Sequence, residues 1–271
     1  MADLEISKSK SFDAHLELSP PSRLYHYTTQ SGLLGILSSG ELHATKPQYF
    51  NDATDFWLAV EIAMERINHW KSQAGDKASR LSGLIARMAN TVTTNLFAAC
   101  FCENGDLLSQ WRGYSSGHYG YSLGMDISQL ARKAKPVRFE LGKCIYDREI
   151  QRRIIDELIS DAIEGDDRAA AFERGLLRAG AFFKHETFRN EEEWRIVSPV
   201  EFTPEIGFRL GVSMPTPYCG FSIGAGNDSA VRHAYVGPCP HPLLAKAAVA
   251  MIFRKHDVKA DAVNSSIAYR T

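Results

Sequence analysis

The sequence lacks most of the features that announce a particular chemistry. Its five cysteines (Cys100, Cys102, Cys144, Cys219 and Cys239) are odd in number and contain no C-x-x-C pair. That spacing excludes a zinc ribbon and a complete disulfide framework, and buried reduced thiols are the expectation. No apolar run approaches the ~18 residues of a membrane helix. Residues 1–22 form a polar segment without the apolar core of a signal peptide, so a cytoplasmic protein with no membrane partner is expected. Neither sign of charge is in excess: 31 Lys and Arg against 32 Asp and Glu leave a formal net charge of -1. Any polyanion must therefore be recognised by a local patch. Repeats, low-complexity tracts and a glycine fingerprint between strand and helix are also missing, which argues against solenoids and a dinucleotide-binding doubly wound sheet.

What is present is ordinary globular composition, 44% hydrophobic and 23% charged over 271 residues, enough for a sizeable core. Aromatic RLYHYT, residues 23–28, reads as a strand. TQSGLLGILSSGEL then has helical apolar spacing, with Ser31 as the expected N-cap and Gly40 as the stop. LHAT (42–45) returns as a strand. Helical periodicity follows over 55–70 and 79–88, and LFAACFC (96–102) suits a central strand. GDLLSQWRGYSSGHYG reads as a loop, and YSLGMDI and residues 136–146 as strands. Residues 149–163 and 168–183 read as helices. Strands at YCGFSI, HAYVGP and 262–269, with a helix over 242–255, complete the series. Interspersed elements without strict alternation give an α+β class. One domain over residues 23–271 is expected, with helical insertions near 55–92 and 149–183.

Four constellations stand out. In an extended YHYT, His26 and Thr28 share one face and Tyr25 and Tyr27 the other; a hydrogen-bonded structural histidine is the plain alternative. Asn51 and Asp52 suit an Asx turn. Trp111, Arg112 and Tyr114, among glycines, suit a planar ligand and a phosphate, or equally a loop packed over a core edge. In RNEEEWRIV, an extended backbone would place Glu191 and Glu193 on one face, Glu192 and Trp194 on the other. Such paired carboxylates can divide labour, one stabilising a sugar-like cation and one orienting a nucleophile. Salt-bridged glutamates at a solvated strand end, paired with Arg189 or Arg195, are the alternative.

Taken together, Phe50-Asn51-Asp52, Trp111 with Gly120, the Cys144-Ile145-Tyr146 strand, Lys184, Phe188, Glu191, Glu193, Trp194, Arg195 and the closing Asn264 to Arg270 resemble the bacterial family catalogued as domain of unknown function 2971. Phe188 stands where that pattern has tryptophan. The aromatic-flanked His26 strand before SGLLGILSSGEL is similar to the opening of ADP-ribosyltransferases, particularly the DNA-modifying toxins, which carry His, Tyr or Ser, and Glu in chain order. His26, Tyr121 or Ser122, and Glu191 or Glu193 reproduce that order.

The second resemblance implies a split mixed or antiparallel sheet gripping NAD as substrate, with no metal. It makes Glu193 the carboxylate beside the ribose cation, Glu191 the residue orienting the acceptor, and His26 a ribose ligand. Tyr27, Thr28, Tyr121, Ser122, Trp111 and Arg112 would line the NAD site, with Tyr121 or Trp111 stacking on nicotinamide and Arg112 meeting the diphosphate. Asn51, Asp52 and Arg195 would lie at the acceptor side. The implied activity is ADP-ribosyl transfer to a protein or nucleic acid by a toxin or phage-defence effector. An NAD glycohydrolase and a noncatalytic ligand-sensing module on the same fold are the alternatives.

Overall fold

The computed structural model describes residues 5–50, 54–72, 75–88, 93–114, 119–164, 168–211 and 213–268. Within the N-terminal polar segment, Ser9 caps a short helix, α1 (Lys10–Leu16), by accepting from the Phe12 amide. Phe12, buried and tilted against Phe182, anchors that helix, so part of the polar N-terminal segment packs onto the domain.

The aromatic strand β1 (Arg23–Thr29) runs into α2 (Gln30–Ser39) and β2 (Glu41–Thr45). Thr29, rather than the expected Ser31, is the N-cap: its hydroxyl accepts from the Gly32 amide at 3.2 Å, and the Ser31 hydroxyl bonds Thr29 instead. A Cβ at Gly32 would meet Thr28 Oγ1, so any larger residue where the helix springs from the strand would make that hydroxyl move. Gly40 ends α2 at φ 70°, the left-handed conformation that glycine adopts without strain.

The chain continues through α3 (Thr54–Lys71), α4 (Ala78–Met88), β3 (Ala98–Cys102), α5 (Leu108–Tyr114), β4 (Gly120–Asp126), α6 (Ile127–Ala134), β5 (Glu140–Lys143), α7 (Arg148–Glu164) and α8 (Ala169–Gly180). It closes through β6 (Glu193–Val197), β7 (Gly207–Leu210), β8 (Pro215–Ser222), β9 (Val231–Val236), α9 (Pro242–Lys255) and β10 (Asp261–Asn264). Three expectations change. The tryptophan segment is the helix α5 rather than a loop, because Asp106 accepts from Trp111 Nε1 and pins the turn before it. Residues 136–146 are a strand only over 140–143, since Pro136 sits in a 3-10 turn, and Ile145 bridges Phe183 instead of extending the ladder. The closing strand ends at Asn264.

The fold is α+β with a mixed, open sheet. Among the described residues ten strands follow the order β10-β9-β4-β1-β3-β2-β8-β7, with β6 on the far side of β3 and β5 beyond it. Neighbours are antiparallel except β9 and β10. On one face α1, α3, α4, α7 and α8 share a core with Ala98 and Val197. On the other, residues of α2, α6 and α9 pack on Leu24, Ala99, Phe101, Trp194 and Ile196.

The feature that positions the site is a break in the ladder. β6 pairs with β3 along its whole length, from Cys102↔Glu193 to Ala98↔Val197. The other edge of β3 is shared, β1 meeting it at Tyr25↔Cys102 and β2 at Thr45↔Ala98. Because α2 lies between β1 and β2 in the chain, the β3 edge between those rungs is left without a partner strand among the described residues.

Candidate functional site

The three glutamates do not continue one strand. Glu191 ends a 3-10 turn (Glu186–Glu191), Glu192 is left-handed at φ 44° and ψ 50°, and β6 begins at Glu193. The expected alternation across Glu191 and Glu193 is therefore absent, yet the turn brings both carboxylates to the same ammonium. Lys184 Nζ lies 3.1 Å from Glu191 Oε2 and 2.6 Å from Glu193 Oε2. Arg195 Nε donates to Glu193 Oε1 at 2.6 Å, its Nη2 to Asp55 Oδ2 at 2.6 Å and its Nη1 to the Ala181 carbonyl at 2.7 Å. Asp55 also reaches Lys184 at 3.4 Å. Arg195 is 1% exposed, so its charge is supported entirely by these partners.

Three carboxylates (Asp55, Glu191, Glu193) face two cations (Lys184, Arg195), a formal balance of 2 − 3 = −1. The environments separate the two glutamates. Burial alone would raise the Glu193 pKa, but Arg195 and Lys184 outweigh it and hold the carboxyl at about 2. Glu191 moves upward, because burial outweighs its contact with Lys184. Burial works against the charge of Lys184, and Glu193 and Asp55 keep it protonated. No three His, Cys, Asp or Glu side chains among the described residues form a metal cluster; the two cations stand between the carboxylates.

His26 approaches from across the split. By register, Tyr25, Cys102 and Glu193 share a face and His26 belongs to the other, its ring 5.9 Å from that of Phe101. Opposite the open stretch of β3, however, its Nδ1 lies 2.9 Å from the Cys100 carbonyl. A carbonyl only accepts, so Nδ1 carries the proton and Nε2 is the acceptor. Burial lowers the imidazole pKa, with the charges of Arg209 and His43 acting in the same direction, so the ring is neutral at neutral pH. His26, Cys100, Tyr114, Glu191 and Glu193 line one pocket of about 30 Å³, room for a water or two. Tyr114 shows 41% of its surface to solvent yet lines this pocket, and burial, with Cys100 and Glu193, pushes its phenol well up.

The remaining expected residues divide. Tyr27 lies in the small core with Cys102 and Trp111: its hydroxyl donates to the Asn104 carbonyl and accepts from the Leu107 amide, both at 2.9 Å. Trp111 is 4% exposed, edge-on to Tyr27 at 4.8 Å, and so is packed rather than presented. Tyr121 belongs to the apolar core of the opposite face, and Ser122, fully buried, pairs in register with Tyr27. Thr28 is half-buried and Arg112 exposed on α5. Asn51 and Asp52 lie outside the described residues. Phe188 sits under the Lys184 ammonium at 5.0 Å.

Asp55 was not anticipated as a site residue, and Lys184 entered only through the family pattern. A signal for Asp55 existed: it precedes Leu58, Ala59 and Ile62 at helical spacing, an acid on the apolar stripe of α3.

The fold and site thus define an α+β protein with a split sheet and a buried, net-negative charge cluster at the split. Residues 110–196 match the model of a family described as a protein of unknown function (DUF2971). That segment runs from α5 to β6 and includes Tyr114, Lys184, Glu191, Glu193 and Arg195. No curated protein and no solved structure matches the chain. No helix among the described residues is long and apolar enough to cross a membrane.

Proposed function

We propose that the split between β1 and β3 belongs to an ADP-ribosyltransferase-like fold and binds NAD, and that the protein transfers ADP-ribose to a protein or nucleic acid acceptor. The observation that supports this best is the uncompensated negative charge of the Asp55–Lys184–Glu191–Glu193–Arg195 cluster beside an unpaired strand edge, opposite a neutral histidine. Nicotinamide in NAD is cationic, and breaking its bond to the ribose leaves positive charge at the anomeric carbon while the nicotinamide departs with the bonding electrons. A preorganised negative site lowers that barrier.

Glu193, ionised above about pH 2, supplies the fixed charge. Glu191, with its raised pKa and partial exposure, takes the proton from the acceptor as the acceptor attacks the anomeric carbon. His26 Nε2 accepts from a ribose hydroxyl. The pocket of about 30 Å³ must widen to admit a nucleotide, and α5, which carries Tyr114 over it, is the element that moves. Such an enzyme, acting in the cytoplasm, fits a toxin or phage-defence effector; with water as acceptor the same site is an NAD glycohydrolase.

One observation favours a noncatalytic module instead: both Glu193 oxygens are already bonded to Arg195 and Lys184. The test is nicotinamide release from NAD by the purified chain, with and without cell lysate, against Glu191→Gln and Glu191→Gln/Glu193→Gln. Release that falls in both variants supports the enzyme, and dependence on lysate selects transfer over hydrolysis. A folded chain that releases none overturns the reading, and NAD binding without release selects the module.

A further inference from the structure

The positive counterpart of the acidic cluster lies toward the β2 side of the split. Arg209, on the edge strand β7, directs Nη2 to Thr45 Oγ1 at 3.3 Å, and Thr45 is the residue that rejoins β2 to β3 at Ala98. That is the one hydrogen bond the guanidinium makes among the described residues, and no carboxylate among them lies within ion-pair distance of it. Its other N–H groups are therefore uncommitted.

Beside it, His43 and Tyr218 stack with ring centroids 3.6 Å apart and planes 15° from parallel. Register explains the grouping: Thr45 faces Tyr218, and Tyr218 faces Gly207, two residues before Arg209. Arg209 is close enough for its charge to lower the pKa of both His43 and His26, in each case after burial. Burial also disfavours the charge of Arg209 itself. An exposed guanidinium with no counter-ion among the described residues, next to two neutral imidazoles, is free to take up an anion.

We infer that Arg209, with the Thr45 hydroxyl and the His43 edge, forms the subsite for the diphosphate of the bound nucleotide, the role expected from sequence for Arg112. A planar guanidinium grips two phosphate oxygens at once, and the subsite lies toward the far end of the open β3 edge from Glu193. An extended dinucleotide running along that edge meets negative charge at its cationic end and positive charge at its diphosphate. Naming the anion a nucleotide diphosphate rests on the NAD reading; the anion site itself does not.

The experiment is calorimetric titration of the full chain with ADP-ribose, ADP and inorganic pyrophosphate, comparing wild type, Arg209→Ala, Arg209→Lys and Arg112→Ala. Arg209 sits on an exposed edge strand, and thermal melts check that its variants fold. Arg209→Ala is expected to weaken all three ligands by about 10- to 100-fold, the range of a lost hydrogen-bonded charge contact. Arg209→Lys should recover part of that loss, and Arg112→Ala should bind all three as wild type does. Unchanged affinities in Arg209→Ala, or no binding of any of the three to wild type, would overturn the subsite. Pyrophosphate binding that depends on Arg209 in a chain releasing no nicotinamide would sink the NAD reading and leave the subsite standing. Nicotinamide release with binding indifferent to Arg209 would do the reverse.

Discussion

The two faces of β6 bury one five-residue strand in opposite chemistries. Trp194 and Ile196 enter an apolar core with Phe101 and Leu123, where shape and area suffice. Glu193 and Arg195, equally buried, enter a charged layer beneath α3, where each oxygen and N–H needs a named partner. Dispersion is divided among many neighbours, whereas charge is concentrated in a few bonds. The apolar face should therefore degrade gradually under substitution, and the charged face by loss of single partners.

The largest effect is expected from Arg195→Met, which leaves Glu193 and Asp55 with Lys184 as their remaining shared cation among the described residues. Chemical denaturation should show a loss of about 3–5 kcal/mol, and a loss under about 1 kcal/mol would mean that water reaches the cluster. On the apolar side, Ile196→Ala should cost about 2–5 kcal/mol through a dry cavity. The size of that loss should not depend on salt or pH.

A pH series sharpens the contrast. Glu193 is held at about 2, below its ordinary 4.5. The unfolded chain therefore takes up the proton first, and the contribution of Glu193 to stability is full above about pH 4.5 and is lost as pH falls toward 2. In Glu193→Gln that acid-dependent component should be missing from the Tm-versus-pH curve between those limits. The smallest stability change belongs to Glu191→Gln. The folded state raises the pKa of Glu191, so removing its charge at pH 7 should leave stability within about 1 kcal/mol or improve it slightly. Nicotinamide release would nevertheless fall under the proposed role, which separates function from support.

Much of the fold was legible because it is local. β1, α2 with its Gly40 stop, β2, α3, α4, β3 and α9 follow from period, turn residues and caps within a few positions of one another. The elements that were missed depend on distant partners. α1 is held by Phe12 against Phe182, and α5 by Asp106, which also gathers Ser265 and Ser266 from the far end of the chain. At the site, Glu191 and Glu193 could be singled out as acids clustered beside a strand. That they meet through Lys184 rather than by strand alternation depends on the left-handed Glu192.

Sequence alone determined the α+β class, the strand and helix periods, and the presence of carboxylates, a histidine and basic groups able to work on a charged ligand. Periodicity and capping are properties of neighbouring residues, so they survive without a partner segment. Tertiary structure decided that β1 and β2 would share one edge of β3, that Asp55 and Lys184 would complete the acidic cluster, and that Arg209 would lie beside Thr45 without a counter-ion. Those outcomes turn on which strand edges meet and how much water is excluded between them, and both are set by segments 53 to 164 residues apart.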